Sequence, residues 1–272
     1  MSISAKKIFF FDLDGTLLTS GKQVSEKTMD ALKKFVDAGN HFCINTGRAI
    51  DSAKAVASDL GLNFKGSFLC GSDGTEIYDV DKGDYVYKVG VPLDLIRPIF
   101  DLAKEYDVHI HAYTETHLVS LNDGECMKYY RRVIKTPLII TDDILKEVKT
   151  PPSKLLSVEL HDHDKQERFR EALHKMTGDV LTTLYSNPYY LEIFPAEAGK
   201  GSVVKRLSDY LGIPIENTYA AGDEENDISM LQAAGCGIAM INGKDNVKAC
   251  ADVITKEDND HDGLAEYILG AI

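Results

Sequence analysis

The sequence predicts an α/β fold, an open parallel sheet with helices on its faces, carrying a second, inserted α+β unit. Three observations predict it. Short apolar runs repeatedly end in polar or glycine-rich loops and pass into stretches with helical apolar spacing, the rhythm of strands and crossover helices. That rhythm breaks off near Thr75 and resumes near Gly199. The chain of 272 residues, 44% of them apolar, suits one large domain or two modest ones.

The first strand is read at Ile8, Phe9, Phe10, Phe11 and Leu13, too few apolar residues for a helix and fitting for a strand buried on both faces. Asp12 and Asp14 stand where it ends, with Gly15 to turn the backbone and Thr16 to offer a hydroxyl. Ser25 caps a helix with Met29, Leu32, Phe35 and Val36 on one side and Gly39 as its stop. Phe42-Cys43-Ile44 is the second strand and ends in Asn45-Thr46-Gly47-Arg48. The next helix carries Ala53, Val56, Ala57 and Leu60 and stops at Gly61. Phe68-Leu69-Cys70 is the third strand, followed by Gly71-Ser72-Asp73-Gly74.

Beyond Thr75, Ile77-Tyr78 and Tyr85 to Val89 flank Asp81-Lys82-Gly83-Asp84 as a hairpin, and Leu93, Ile96, Phe100 and Ala103 mark a helix. Strands follow at Val108 to Ala112, Leu118 to Leu121, Leu155 to Leu160, Val180 to Tyr185 and Tyr190 to Phe194, with a helix over Gln166 to Met176 and a loop at Pro151-Pro152. Residues 83–188 are therefore read as the inserted domain, and 1–82 with 189–272 as the domain it interrupts. After Gly199-Lys200-Gly201 comes a helix with Val203, Val204, Leu207 and Leu211, then a strand at Thr218 to Ala221 that runs into Gly222-Asp223-Glu224-Glu225-Asn226-Asp227. Ile228, Met230, Leu231 and Ala234 form a helical stripe. Gly237 to Met240 and Ala251 to Ile254 are short strands, and Leu264 to Leu269 closes the chain as a helix. Lys256 to Asp262 reads as solvated loop.

Composition excludes several function classes. A formal charge of −13 disfavours a nucleic-acid binder that works by neutralising phosphates, and Tyr129-Tyr130-Arg131-Arg132 reads as a solvated helix face rather than an RNA surface. Cys43, Cys70 and Cys236 lie in apolar runs and read as reduced core residues, and the five cysteines have no metal-type spacing. The start of the chain has neither a signal peptide's apolar stretch nor a membrane span, so a cytoplasmic enzyme, monomer or homodimer, is expected. No Gly-x-x-x-x-Gly-Lys-Ser/Thr stretch supports an ATP-driven kinase.

Four strand-end stretches together carry a phosphoryl chemistry. Phosphate transfer needs a nucleophile, a proton donor, a hard cation and donors that neutralise the phosphoryl oxygens. Asp12 and Asp14 supply the first two, Thr46 a hydroxyl, and Lys200 an ammonium between two glycines where the backbone can approach closely. Asp223 and Asp227, four apart with Asn226 beside them, add carboxylates. With oxygen ligands only, Mg²⁺ is the expected cation.

In this order, Asp12-Leu13-Asp14-Gly15-Thr16, Thr46-Gly47-Arg48, Lys200, and Gly222-Asp223 with Asn226-Asp227 resemble the four motifs of the haloacid dehalogenase-like superfamily. The long insert makes the chain similar to its Cof-type phosphatases, whose cap is a large α/β domain. The resemblance covers essentially the whole chain. It implies a Rossmann-like three-layer core, an inserted cap that selects the leaving group, and Mg²⁺-dependent hydrolysis of small phosphorylated metabolites through an aspartyl-phosphate, with sugar phosphates as the leading substrates. By the same resemblance Asp12 is the nucleophile and Asp14 the general acid and then base. Thr46, Gly47, Lys200 and Asn226 bind the phosphate. Asp12, the main-chain carbonyl of Asp14, and Asp223 hold the metal, with Asp227 supporting them.

Arg48 and Glu192 are the foremost candidates for substrate selection, beside His111, Tyr113 and Tyr189. His109, His111 and His117 read as ordinary packed or surface residues rather than as ligands or selectors. The chain departs from the family's pattern at Asp73-Gly74, where many relatives have Asn-Gly, and at Gly199, where serine or aspartate is frequent. Asn242-Gly243 and Asp262-Gly263 are read as loop-shaping. A phosphosugar mutase, passing the phosphoryl group back to sugar, and a low-turnover phosphate-binding regulatory protein are the alternatives.

Overall fold

The computed structural model describes residues 6–132 and 134–272. β1 (Ile8–Phe11) is apolar throughout because both of its faces are covered: Phe9 and Phe11 pack into one core cluster, Ile8 and Phe10 into another. Each of these fully buried side chains contributes about 1.5–3 kcal/mol of burial. α1 (Glu26–Asp37) starts at Ser25, whose hydroxyl accepts the Thr28 N–H, and lays Leu32 and Phe35 on the Phe9 side. β2 (His41–Asn45) and α2 (Ile50–Asp59) repeat the unit, and β3 (Ser67–Gly71) follows. β4 (Glu76–Asp79) and β5 (Asp84–Lys88) then run back antiparallel.

The next stretch forms a sheet of its own. In chain order it comprises α3 (Leu93–Glu105), β6 (His109–Tyr113), β7 (Leu118–Ser120), α4 (Glu125–Tyr130), β8 (Leu138–Ile140), α5 (Ile144–Glu147), β9 (Lys154–Val158), α6 (His163–Thr177), β10 (Leu181–Asn187) and β11 (Tyr190–Pro195). The strand order is β10-β11-β9-β6-β7-β8. Alternate residues on these strands, Ile110, Ala112, Leu155, Leu191 and Ile193, face α3 and α6 through Ile96, Phe100, Phe169 and Leu173. Tyr130, read as part of a solvated face, instead turns into a smaller cluster with Tyr113, Leu118, Leu156 and Val158.

The first unit then resumes with α7 (Lys200–Leu211), β12 (Thr218–Gly222), α8 (Ile228–Ala233), β13 (Cys236–Ala239), α9 (Asp245–Lys248), β14 (Val253–Ile254) and α10 (Ala265–Gly270). Its eight-stranded sheet has the order β14-β13-β12-β1-β2-β3-β4-β5, parallel from β14 to β3. α1 and α10 cover one face, and α7 and α8 the other, which makes three layers. The order reverses direction at β1, so the loops after β1, β2 and β12 meet at the carboxyl ends of the central strands, where open α/β sheets form their crevice.

The chain divides into a unit that ends at Lys88 and resumes at Ala198, and a second unit of Val89–Glu197. Both junctions lie further along the chain than the 83 and 188 read from sequence. β5 pairs with β4 in the eight-stranded sheet, while β11 pairs with β9 and β10 in the six-stranded one. Local patterning marks a strand but not its partner, and partners decide the boundary. Cys43 and Cys70 are fully buried, whereas Cys236 is only partly so and lines a groove with Tyr219, Lys256 and Tyr267. No helix among the described residues is long and apolar enough to cross a membrane.

Candidate active site

Asp12 leaves β1 with its N–H still bonded to the Ala221 carbonyl at 3.0 Å, so its side chain emerges at the sheet's carboxyl edge on a fixed backbone. The chain then turns at Gly15, φ +82°, where a Cβ would run into the carboxylate of Asp223. Thr16 donates its hydroxyl to Asp223 Oδ1 at 2.6 Å. Gly222 closes the other side: a Cβ there would collide with Asp227, and in its absence Asp227 Oδ2 accepts the N–H groups of Asp223 and Glu224 at 2.9 and 3.0 Å.

Lys200, 1% exposed, reaches into this group from the start of α7. Its Nζ donates to Asp12 Oδ1 and Asp227 Oδ1, each at 2.6 Å. Burial by itself lowers the affinity of the ammonium for its proton, but Asp12, Asp227 and Asp73 more than offset this, and the pKa is held above the ordinary lysine value. Asp12 is driven the opposite way. Desolvation raises its pKa to about 7 against the pull of Lys200, and the charge of Asp227 adds to the rise. Asp223 rises to about 6, again through burial, with the Thr16 hydrogen bond opposing. One lysine among so many buried carboxylates leaves an excess of negative charge, the condition in which a divalent cation is welcome.

Asp12, Asp223 and Asp227 each present a ligand atom, all within 4.8 Å of one another. The donor set is oxygen only and fits a hard cation such as Mg²⁺. The carboxylate of Asp14 stands outside this group, and the part the resemblance implies for Asp14 at the metal is through its main-chain carbonyl. That carboxylate is half exposed and held by three charge-assisted bonds, from Arg48 Nε to Oδ2 and from Arg48 Nη2 and Lys22 Nζ to Oδ1, each 2.7 Å. Burial alone would raise its pKa, but these two cations bring it below the ordinary value.

Thr46 is buried where β2 ends, its N–H bonded to the Cys70 carbonyl at 3.1 Å and its Oγ1 accepting the Arg48 N–H at 3.3 Å. Ser72, Asp73 and Gly74 are consecutively left-handed, with φ +48°, +52° and +96°. Only Gly74 takes this without cost, and a Cβ there would lie 2.6 Å from the Gly199 carbonyl. The bend brings the Asp73 carboxylate against Gly47 and puts its Oδ1 3.0 Å from Asn226 Nδ2, while its carbonyl accepts the Gly199 N–H at 2.7 Å. Gly47, Asp73, Gly199 and Asn226, distant in sequence, are thereby stitched into one rim beside Lys200. The amide of Asn226, expected to face phosphate, is engaged with Asp73 in this structure.

Sequence reasoning missed the supports of the first loop. Lys22 is one. The stretch read as solvated loop supplies others: Ser20 donates to Asp260 through N–H and hydroxyl at 2.7 Å each, and Asn259 Nδ2 donates to the Leu18 carbonyl at 2.7 Å. Asn242 Nδ2 donates to the Gly15 carbonyl at 2.8 Å, consistent with its loop-shaping part. These bonds span more than two hundred residues, and nothing local signals them. Glu192 lies on β11 of the second unit, buried, 2.9 Å from Lys154 Nζ and accepting the Ser186 hydroxyl at 2.9 Å. His111 on the same sheet is fully buried against Tyr113 and Tyr130, and His109 is partly buried beside it.

With an acidic cluster at the strand ends and a lysine buried in it, the family can be identified. The model of the haloacid dehalogenase-like hydrolases matches residues 9–268. The chain belongs to the haloacid dehalogenase-like hydrolase family. Several of its curated relatives are named phosphatases. The chain is 31% identical to a 5-amino-6-(5-phospho-D-ribitylamino)uracil phosphatase of Bacillus subtilis, YwtE, over 96% of each chain. It is 29% identical to a second phosphatase of that name, YitU, over 94% of each. Among solved structures, a haloacid dehalogenase-like hydrolase from Bacteroides thetaiotaomicron superposes with a TM-score of 0.85 at 28% identity, covering 98% of this chain and 100% of its own. Both units of the present chain thus have counterparts in this family's hydrolases.

Proposed function

We propose that this protein is a Mg²⁺-dependent phosphatase of small phosphomonoesters, sugar and sugar-alcohol phosphates foremost, working through an aspartyl-phosphate on Asp12. The observation that carries the reading is the buried group of Asp12, Lys200, Asp223 and Asp227 at the carboxyl edge of β1 and β12. The two relatives named for a phosphoribitylamino-uracil, a phosphate ester on a ribityl chain, support both hydrolysis and the substrate class over mutase or regulatory readings.

Asp12 and Asp223 would hold the cation with their carboxylates and Asp14 with its main-chain carbonyl, and Asp227 would fix Asp223 and Lys200 from behind. When bound, Mg²⁺ supplies Lewis-acid neutralisation of the phosphoryl oxygens. Asp12 attacks phosphorus as the ester P–O bond breaks, and Asp14 gives its proton to the departing alkoxide. Asp14 then takes a proton from water, whose oxygen attacks phosphorus and releases Asp12 and inorganic phosphate. Lys200, the Thr46 hydroxyl and the Gly47 N–H are the donors to the transferring group, joined by Asn226 once its amide leaves Asp73. Residues 89–197 serve as the substrate-selecting cap, with Glu192 a hydroxyl acceptor and Arg48 a selector from the catalytic unit.

The test is phosphate release from a panel of phosphorylated metabolites with Mg²⁺, with EDTA, and with Asp12→Asn protein. Turnover that needs Mg²⁺ and vanishes in the variant is expected. Equal turnover in EDTA or in Asp12→Asn would refute the reading.

A further inference from the structure

The rim beside Lys200 contains a carboxylate of its own, that of Asp73, which is 4% exposed. Its Oδ1 accepts from Asn226 Nδ2 at 3.0 Å. Both of its oxygens lie 3.1 Å from the point that a Cβ of Gly47 would occupy, so a side chain at position 47 would crowd it. Its charge also reaches the Lys200 ammonium and helps to hold the proton there. Asn226, Gly47 and Lys200 are donors to the transferring phosphoryl group in the proposed mechanism, and an internal anion already sits among them.

The backbone fastens it in place. The Ser72 N–H donates to the Arg48 carbonyl at 2.7 Å and the Asp73 N–H to the Thr46 carbonyl at 3.3 Å, so the loop after β3 lies on the turn after β2. The Asp73 carbonyl in turn accepts the Gly199 N–H at 2.7 Å, next to Lys200. Asp73 has φ +52°, a left-handed conformation that asparagine or glycine takes as readily. Asparagine could also accept from Asn226 through its own Oδ1, without adding a buried charge to a cluster that holds Asp12, Asp223 and Asp227. Neither the turn nor the hydrogen bond therefore calls for the negative charge.

We propose that Asp73 is an internal competitor for the phosphate-binding donors: its carboxylate engages the Asn226 amide and the Gly47 turn when no phosphate is bound, yields them to the phosphoryl group, and takes them back as inorganic phosphate leaves. This rests on the reading of Gly47, Lys200 and Asn226 as phosphate donors. Two anions cannot share one set of donors, so the carboxylate loosens the hold of the site on its product and on any bare oxyanion. An ester keeps the contacts of its leaving group against this competition, and inorganic phosphate has none.

The test is the binding of inorganic phosphate to the Mg²⁺-loaded protein, followed by isothermal titration calorimetry. Asp73→Asn and Asp73→Gly both suit the left-handed turn and lack the charge. Each should tighten Kd roughly tenfold to hundredfold, the worth of a hydrogen bond to a charged group regained. Asp73→Gly brings no new donor, so its gain cannot come from a contact made by the replacement. In an Asn226→Ala background the gain should shrink to about threefold or less, because the amide competed for is gone. Unchanged or weaker phosphate binding in both variants would overturn the assignment. So would a gain confined to Asp73→Asn, or one of the same size with and without the Asn226 amide, which is a plain loss of charge. In each of those cases, phosphate release from ribose 5-phosphate by the wild type leaves the phosphatase reading standing. A wild type that hydrolyses no ester and binds no phosphate would refute that reading, and the assignment with it.

Discussion

Replacing Lys200 by Met should destabilise the catalytic unit more than any exposed charge could. The ammonium is 1% exposed and is shared by two carboxylates at 2.6 Å, one of which, Asp227, is wholly buried. Removing one partner from such a group leaves buried charge uncompensated and costs about 3–5 kcal/mol. For a domain of about 150–250 residues, with ~2–4 °C of melting temperature per kcal/mol, the fall is roughly 6–20 °C. The loss should grow with pH. Asp12 has a folded pKa near 7, raised above its unfolded value of 3.8, so the folded state binds the extra proton and the group's stabilising contribution fades as pH rises through about 7. Without Lys200 that pKa rises further, and the penalty is greatest above it. The assay is thermal unfolding followed by circular dichroism in EDTA, about one unit above and one below that pKa. Lys200→Met with Asp227→Asn should regain part of the loss, since one unpaired charge goes with the amide. A fall of less than about 2 °C at the higher pH, or no gain from the double substitution, would refute the picture of a lysine-balanced buried cluster.

Mg²⁺ should raise the melting temperature of the wild type, because a ligand bound only by the folded state stabilises it, and Asp223→Ala should abolish that rise; an unchanged Mg²⁺ response in the variant would remove Asp223 from the cation site. Gly222→Ala forces a Cβ into Asp227, and should cost about 2–4 kcal/mol in urea unfolding while weakening the same Mg²⁺ response. In the second unit, burial lowers the His109 pKa to about 4 and that of His111 well below its ordinary value. The unfolded imidazoles, at about 6.5, then bind protons that the folded ones do not, so stability should fall as pH drops from about 6.5 toward 4, by up to about 1.4 kcal/mol per pH unit for each histidine. His109→Asn should flatten that slope in urea titrations, and an identical slope would contradict the buried neutral imidazole.

Much of this was legible in the sequence because it is local. Alternation of Ile8 and Phe10 against Phe9 and Phe11 announces a strand covered on both faces, and the acids just beyond it announce chemistry at its end. The Asp12, Lys200, Asp223 and Asp227 group assembles as the ordered motifs imply. What was not legible depends on partners far along the chain. The assignment of β11 to the six-stranded sheet needs β9 and β10 beside it, and a strand's own residues do not name them. The clamp on Asp14 joins positions 14, 22 and 48 through side chains that look, one at a time, like ordinary surface charges. Asp73 in a left-handed bend, tying Asn226 back to the loop after β3, combines a conformation and a contact that no local pattern encodes. The polar stretch at 256–262 looked like free loop because its hydrogen bonds to Leu18 and Ser20 close a ring through most of the chain.

The central claim is that Asp12 becomes phosphorylated in each turnover. The direct measurement is acid quench of the Mg²⁺-loaded enzyme during steady-state turnover of a sugar phosphate, followed by peptide mass spectrometry of the segment containing Asp12. A phosphoryl group on that peptide, discharged when the protein is left in water and missing from Asp12→Asn, is the predicted result. Sustained phosphate release with Asp12 never modified, or with the Asp12→Asn protein as active as wild type, would contradict it.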